Sequence, residues 1–301
     1  MMKYYHGTGK QGPYFEGWYF KLQTREGEAL ALIPACHADP SGRWSASLQI
    51  LADGQSWWLT YPEFRAFERM FRVRIGESLF TDQRLCLHIA GEGISLRSTV
   101  RFGPFAPLRS DIMGPFRFLP GMECAHGVIS MGHPLEGSLT LNGKTLDFSG
   151  GTGYIETDRG RSFPSEYLWT QCVWQGARPG SVMLSAAVIP LAGVRFTGCI
   201  CAVLYSGREY RLATYRDARV EQWSASGAAI RQGRYRLTAE LLAGEGSPLR
   251  APAGGVMGRT VHESLRATVR YRLWAGGALL LNHTDHCAGF EYGEAGALPV
   301  K

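Results

Sequence analysis

What most constrains this chain is its hydrophobic period. Phe71, Val73 and Ile75 alternate with Arg72 and Arg74, and Leu85, Leu87 and Ile89 alternate with Cys86 and His88. Ile94, Leu96, Ser98, Val100 and Phe102 continue against Ser95, Arg97, Thr99 and Arg101. Period two is the mark of an antiparallel strand with one buried face. The second half repeats it, with Tyr235 to Leu241 set against arginine, threonine and glutamate, and Val269, Tyr271 and Leu273 against Arg270 and Arg272. A 3.6-residue period is faintly traceable only over 61–70. Turn signals separate the strands: Asp53-Gly54 and Asn142-Gly143 are two-residue hairpin loops. Many short strands with regular turns predict an all-β chain of barrels or sandwiches.

A length of 301 residues is large for one such barrel, so two antiparallel β-domains in tandem are expected, over 1–150 and 151–301. Gly150-Gly151-Thr152-Gly153 is the expected join. It lacks the Lys-Ser/Thr of a P-loop and the spacing of a dinucleotide fingerprint. The residues around 103–121, rich in proline, glycine and phenylalanine, form a long loop of the functional kind.

Composition removes several function classes. The net charge of +6 comes from scattered basic residues, with no Lys/Arg run of the kind that binds nucleic acid. Seven widely spaced cysteines and an N-terminus without an apolar signal segment favour reduced thiols and a cytoplasmic protein. No stretch reaches the roughly 20 apolar residues of a spanning helix. Peripheral contact with a membrane surface stays open. For metals, His283, His286 and Cys287 are the one close cluster, short of the donors that structural zinc needs, and no metal or other cofactor is expected. No Gly-x-Ser-x-Gly elbow is present. His37 and His126, each beside a turn, read as ordinary satisfied histidines.

Two stretches carry candidate chemistry. In Gly12-Pro13-Tyr14-Phe15-Glu16-Gly17-Trp18-Tyr19-Phe20-Lys21, a strand puts Glu16, Trp18 and Phe20 on one face and Phe15, Tyr19 and Lys21 on the other. A carboxyl among aromatics is either a paired structural group or an acid with a raised pKa. In Gly153-Tyr154-Ile155-Glu156-Thr157-Asp158-Arg159-Gly160, Glu156 and Asp158 share a face. Such a pair can hold one carboxyl protonated and one ionised, as acid–base work requires, or be neutralised by Arg159 and Arg161. A loose echo links Pro13 to Phe20 with Pro164, Glu166, Tyr167 and Trp169.

The first of these stretches resembles the opening signature of the tocopherol cyclase-like family. The second resembles its central motif, together with Ser162-Phe163-Pro164 and Tyr167-x-Trp169-x-Gln171-Cys172. His262-Glu263-Ser264-Leu265 and Ala288-Gly289-Phe290-Glu291 resemble its C-terminal motifs. The family is distantly similar to carotenoid hydratases and lipocalin-like Diels–Alderases. The resemblance implies two lipocalin-like β-barrel or sandwich domains and a proton-initiated reaction on a lipophilic, prenylated substrate. In the cyclase a prenyl double bond is protonated and a hydroquinone oxygen closes a chromanol ring.

On this reading Glu16, Glu156 and Asp158 are the acid candidates, expected to meet between the two domains. Trp18, Tyr19, Tyr154, Tyr167 and Trp169 are the expected cavity lining, where aromatic faces stabilise a cation. Arg159 is the expected orienter or counter-ion. A non-catalytic carrier of a lipophile is the alternative, since small barrels hold one ligand.

Overall fold

The structure is a computed structural model and describes residues 3–191 and 193–294. Among these residues the chain is built from antiparallel strands, with two short 3-10 turns at Gly114–Phe118 and Thr214–Arg216. The faint helical period over 61–70 resolves instead into a short strand, Phe64–Ala66, and turns. Both hairpin signals hold: Asp53 and Asn142 adopt positive φ, each followed by a positive-φ glycine.

The strands form two sheets. The first has twelve strands, from Gln55–Tyr61 at one edge to Phe64–Ala66 at the other, with Tyr14–Gln23, Thr152–Gly160 and Cys124–Leu141 side by side at its centre. The second has ten strands, from Arg208–Ala213 to Arg219–Ser224, with Tyr167–Trp174, Ala278–Gly293 and Val256–Ala275 at its centre. Each curls around its own apolar core: Trp18, Phe20, Leu48 and Leu85 in the first, Leu168, Leu184, Val203 and Tyr271 in the second. Neither closes by pairing its edge strands, so each is a curled sandwich rather than a closed barrel.

The two sheets share an order. Tyr14–Gln23 lies between Ala29–Ala38 and Thr152–Gly160, as Tyr167–Trp174 lies between Gly180–Leu191 and Ala278–Gly293. The echo between the two motifs in sequence thus falls on equivalent strands. Thr152–Gly160 pairs within the first sheet, from Gln23↔Thr152 to Phe15↔Gly160. The chain therefore changes sheet at 161–166, one strand later than the Gly150–Gly153 join expected from the sequence.

A third apolar cluster fills the space between the sheets. Tyr19, Ala31, Met131 and Tyr154 come from the first sheet and Tyr167, Trp169, Met183 and Leu265 from the second. The central strands are consequently buried on both faces, and Tyr14–Gln23 is buried along nearly its whole length. Gln49 fastens the layers together: its Nε2 donates to the Arg250 carbonyl at 2.9 Å and its Oε1 accepts from the Arg250 N–H at 2.7 Å.

Candidate active site between the sheets

Between the two sheets lies a cavity of about 180 Å3, partly open to solvent. Its walls are mostly apolar, from Phe15, Ile33, Met113, Phe163, Trp169 and Leu249 among others, and its polar groups are strongly acidic: Glu156, Asp158, Glu263 and Glu291. His126 and Arg250 are the basic residues on the lining.

Strand alternation explains the first wall. Tyr19 stands opposite Glu156, and Lys21 opposite Tyr154, so these four share one face. Asp158 continues the same face, opposite Gly17 on one side and His126 on the other. The Tyr154 hydroxyl donates to Glu156 Oε2 at 2.6 Å, and Trp169 Nε1 donates to the same oxygen at 3.1 Å. His126 bridges the carboxyls. Its Nδ1 lies 3.0 Å from Asp158 Oδ1, and its Nε2 lies 3.5 Å from Glu156 Oε2 without making a hydrogen bond.

The second wall comes from a register pair. Glu263 on Val256–Ala275 stands opposite Glu291 on Ala278–Gly293. Like charges in directly opposed positions repel, and both carboxyls are buried. Each accepts a tyrosine hydroxyl: Tyr19, from the first sheet, donates to Glu263, and Tyr167 donates to Glu291. The Tyr19 ring meets Trp169 edge to face at 5.3 Å, closing an aromatic strip between the two acidic centres.

These surroundings hold protons on carboxyls. Burial pushes Glu156 up from 4.5 to about 7; His126 opposes the rise and Asp158 adds to it. Burial, then repulsion from Glu291, raises Glu263 to about 8. Glu291 is raised by burial to about 7. Burial pulls His126 down, but the Asp158 and Glu156 carboxylates outweigh it and lift the imidazole to about 9. The cavity therefore holds several carboxylic acids that are partly or largely neutral near pH 7, beside a histidine that is charged.

The expected site residues divide by face. Glu156, Asp158, Tyr19, Tyr167 and Trp169 line the cavity, and Tyr154 supports Glu156 from behind. Glu16 does not join them. It is fully buried on the opposite face of its strand, where it accepts the His6 N–H at 2.8 Å and the Tyr14 hydroxyl at 2.8 Å and lies 2.9 Å from His6 Nδ1. Trp18 lies on that same face, in the first core. Arg159 stands opposite Glu16 in register, so alternation turns it away from Glu156 and Asp158. Neither Arg159 nor Arg161 forms an ion pair with either carboxyl among the described residues. Glu16, Trp18 and Arg159 are thus structural neighbours of the site, not parts of its lining.

Sequence reasoning missed three residues. His126 was read as ordinary, yet it sits opposite Asp158. Glu263 and Glu291 lie in the two C-terminal motifs, each within a largely buried stretch of strand; a glutamate in such surroundings was the available signal. A metal would find its donors at His126, Glu156 and Asp158, whose ligand atoms lie within 4.8 Å of one another. His126 Nδ1 is already engaged with Asp158, so metal binding there would displace that contact. His283 and His286 go elsewhere, to Asp285 and Thr268.

Residues 95–294 match the family model described as Tocopherol cyclase-like. No curated protein matches in sequence. Solved structures share this fold. CghA with Sch210972 has a TM-score of 0.61 at 12% identity, covering 94% of this chain and 88% of that one. A putative AttH from Nitrosomonas europaea has a TM-score of 0.52 at 15% identity, covering 92% and 90%. Kievitone hydratase from Nectria haematococca has a TM-score of 0.52 at 11% identity, covering 94% and 90%.

Proposed function

We propose, because the chain belongs to the tocopherol cyclase-like family, that its inter-sheet cavity carries out a proton-initiated cyclisation or hydration of a lipophilic alkene, with Glu156 as the acid. The observation that carries this reading is a carboxyl raised to about 7 on the wall of an apolar, aromatic cavity. An acid whose pKa lies near the working pH is both protonated and able to give the proton up.

The step balances without a further reactant beyond the nucleophile. Tyr154, Trp169 and His126 all approach Oε2 of Glu156, which leaves Oε1 to carry the proton. That proton forms a C–H bond at the less substituted alkene carbon, and the π-electrons leave a tertiary cation at the other. Trp169 and Tyr19, both on the cavity lining, are the aromatic groups that stabilise this cation by cation–π attraction. A hydroxyl oxygen, from the substrate for cyclisation or from water for hydration, forms the C–O bond and releases its proton. The Glu263–Glu291 pair holds a proton on one member and leaves the other able to accept that of the nucleophile.

The proton must then return to Glu156. Side-chain exposure falls from 22% at Asp158 to 11% at His126 and 6% at Glu156, so the acid is approached from the Asp158 side, where the cavity is partly open and water can return the proton to Oε1. His126, charged near neutrality, holds its positive charge beside Oε2.

The test is incubation with a panel of prenylated hydroquinones and phenols in deuterated water. Ring-closed or hydrated product carrying carbon-bound deuterium is expected, with its rate lowered by roughly two to four orders of magnitude in Glu156→Gln. Binding of these compounds without turnover, unchanged in Glu156→Gln, overturns the catalytic reading in favour of a lipophile carrier.

A further inference from the structure

We infer that the rim of the cavity is a lipid-surface docking face, through which a lipophilic ligand passes directly between a membrane and the cavity. Eight large apolar side chains are well exposed among the described residues, and four of them, Phe118, Leu119, Val194 and Val256, lie in segments around the cavity mouth. Phe118 is the most exposed of the eight, at 74%.

Their placement follows from the connector 161–166, which ties three separate segments together. Arg161 N–H and Ser162 N–H donate to the Glu123 carbonyl, at the end of the loop that carries Phe118 and Leu119. Gly255 N–H donates to the Arg161 carbonyl at 2.7 Å, holding the turn that carries Val256. Arg195 Nη2 donates to Ser165 Oγ at 2.9 Å and Val188 N–H to the Glu166 carbonyl at 3.0 Å, holding the hairpin that carries Val194. Each segment also sends residues into the cavity: Phe116 and Met122, Pro252 and Met257, Ile189 and Gly198. The exposed apolar groups thus continue the cavity lining outward.

The charges favour a lipid surface as the occupant. Arg117 lies beside Phe118 and stacks over its ring at 4.5 Å, Arg195 follows Val194, and Arg161 projects from the connector; all three are exposed. The nearby acids Glu123 and Glu166 are half-buried, and the exposed Asp111 pairs with Arg117 at 3.5 Å. Aromatic and aliphatic tips flanked by arginines match the boundary between acyl chains and anionic headgroups. The chain's net charge of +6 adds a long-range attraction of the same sign.

Co-sedimentation of the full chain with phosphatidylcholine vesicles, with and without phosphatidylglycerol, tests this independently of any catalysis. Binding is expected to be stronger with the anionic lipid. It should fall about tenfold or more in the triple variant Phe118→Ser, Val194→Ser, Val256→Ser. Leu279→Ser, on Ala278–Gly293 opposite Trp274 and so at the other end of strand Val256–Ala275 from Val256, should bind as the unaltered chain does. Unchanged melting temperatures certify that the variants fold. Absence of binding to either vesicle overturns the inference. So does binding that the triple variant retains and high salt abolishes, which would be adsorption through net charge alone. Light scattering without vesicles covers the remaining occupant: a dimer of the unaltered chain that the triple variant loses assigns the face to a second copy and overturns lipid docking.

Discussion

Glu263 and Glu291 stand directly opposite each other on neighbouring antiparallel strands, and each accepts a hydrogen bond from a tyrosine, one of them reaching across from the other sheet. Two carboxylates so placed do not ionise independently; the first to lose its proton raises the cost for the second. Glu263, raised by burial and then by Glu291, is the member that ionises second. Replacing Glu291 with glutamine removes that neighbouring charge but keeps a group able to accept from Tyr167, and ionisation of Glu263 should then move to lower pH. Infrared or carboxyl-labelled carbon NMR titration checks this, and a Glu263 titration unmoved by Glu291→Gln would show that the two are uncoupled.

Stability should fall as pH rises through neutrality. Glu156, Glu263 and Glu291 are raised above their ordinary value of 4.5, so between about 4.5 and 7 the unfolded chain has lost protons that the folded chain keeps. The folded state's advantage is fully present below 4.5 and is lost as pH climbs through 7 to 8. His126, raised to about 9, acts in the same direction above 6.5. For Glu156 alone the change is roughly 3 kcal/mol at most. Melting temperatures measured from pH 5 to pH 9 should decline, and more shallowly in Glu156→Gln; a rising or flat profile contradicts the assignment.

Glu16 should behave as a structural residue. Its carboxyl holds the N-terminal segment through His6 and meets the Tyr14 hydroxyl, all away from the cavity. Glu16→Gln should cost about 1–3 kcal/mol in chemical denaturation by leaving buried donors and acceptors mismatched. Ligand binding per folded molecule should not change. A variant of normal stability with impaired binding would return Glu16 to the site.

The division between what could and could not be read in advance has a physical basis. Period two fixed which residues share a face, so the grouping of Glu156 with Asp158, and of Glu16 with Trp18, was legible. Which face met the cavity was not, because Tyr14–Gln23 is buried on both sides, and two apolar faces look alike in sequence. The same period turns Arg159, the residue after Asp158, to the face opposite the two carboxyls. The Glu263–Glu291 and His126–Asp158 pairs depend on strand register across 28 and 32 residues, which no local period encodes. The tandem all-β fold was legible because repeated turns and alternation are local properties.

The cavity belongs to neither sheet alone. Glu156, Asp158 and His126 come from strands before the 161–166 connector, and Glu263, Glu291 and Trp169 from strands after it. A gene cut at the connector would yield two polypeptides, each with an incomplete set of acids and an uncovered apolar face. Ligand binding would return only on their reassociation, with a rate that rises with the product of their concentrations. Selection on this chemistry therefore acts on the fit between halves as much as on either half. Substitutions that loosen Gln49 from Arg250, both on the cavity lining, would register as losses of function before they registered as losses of fold.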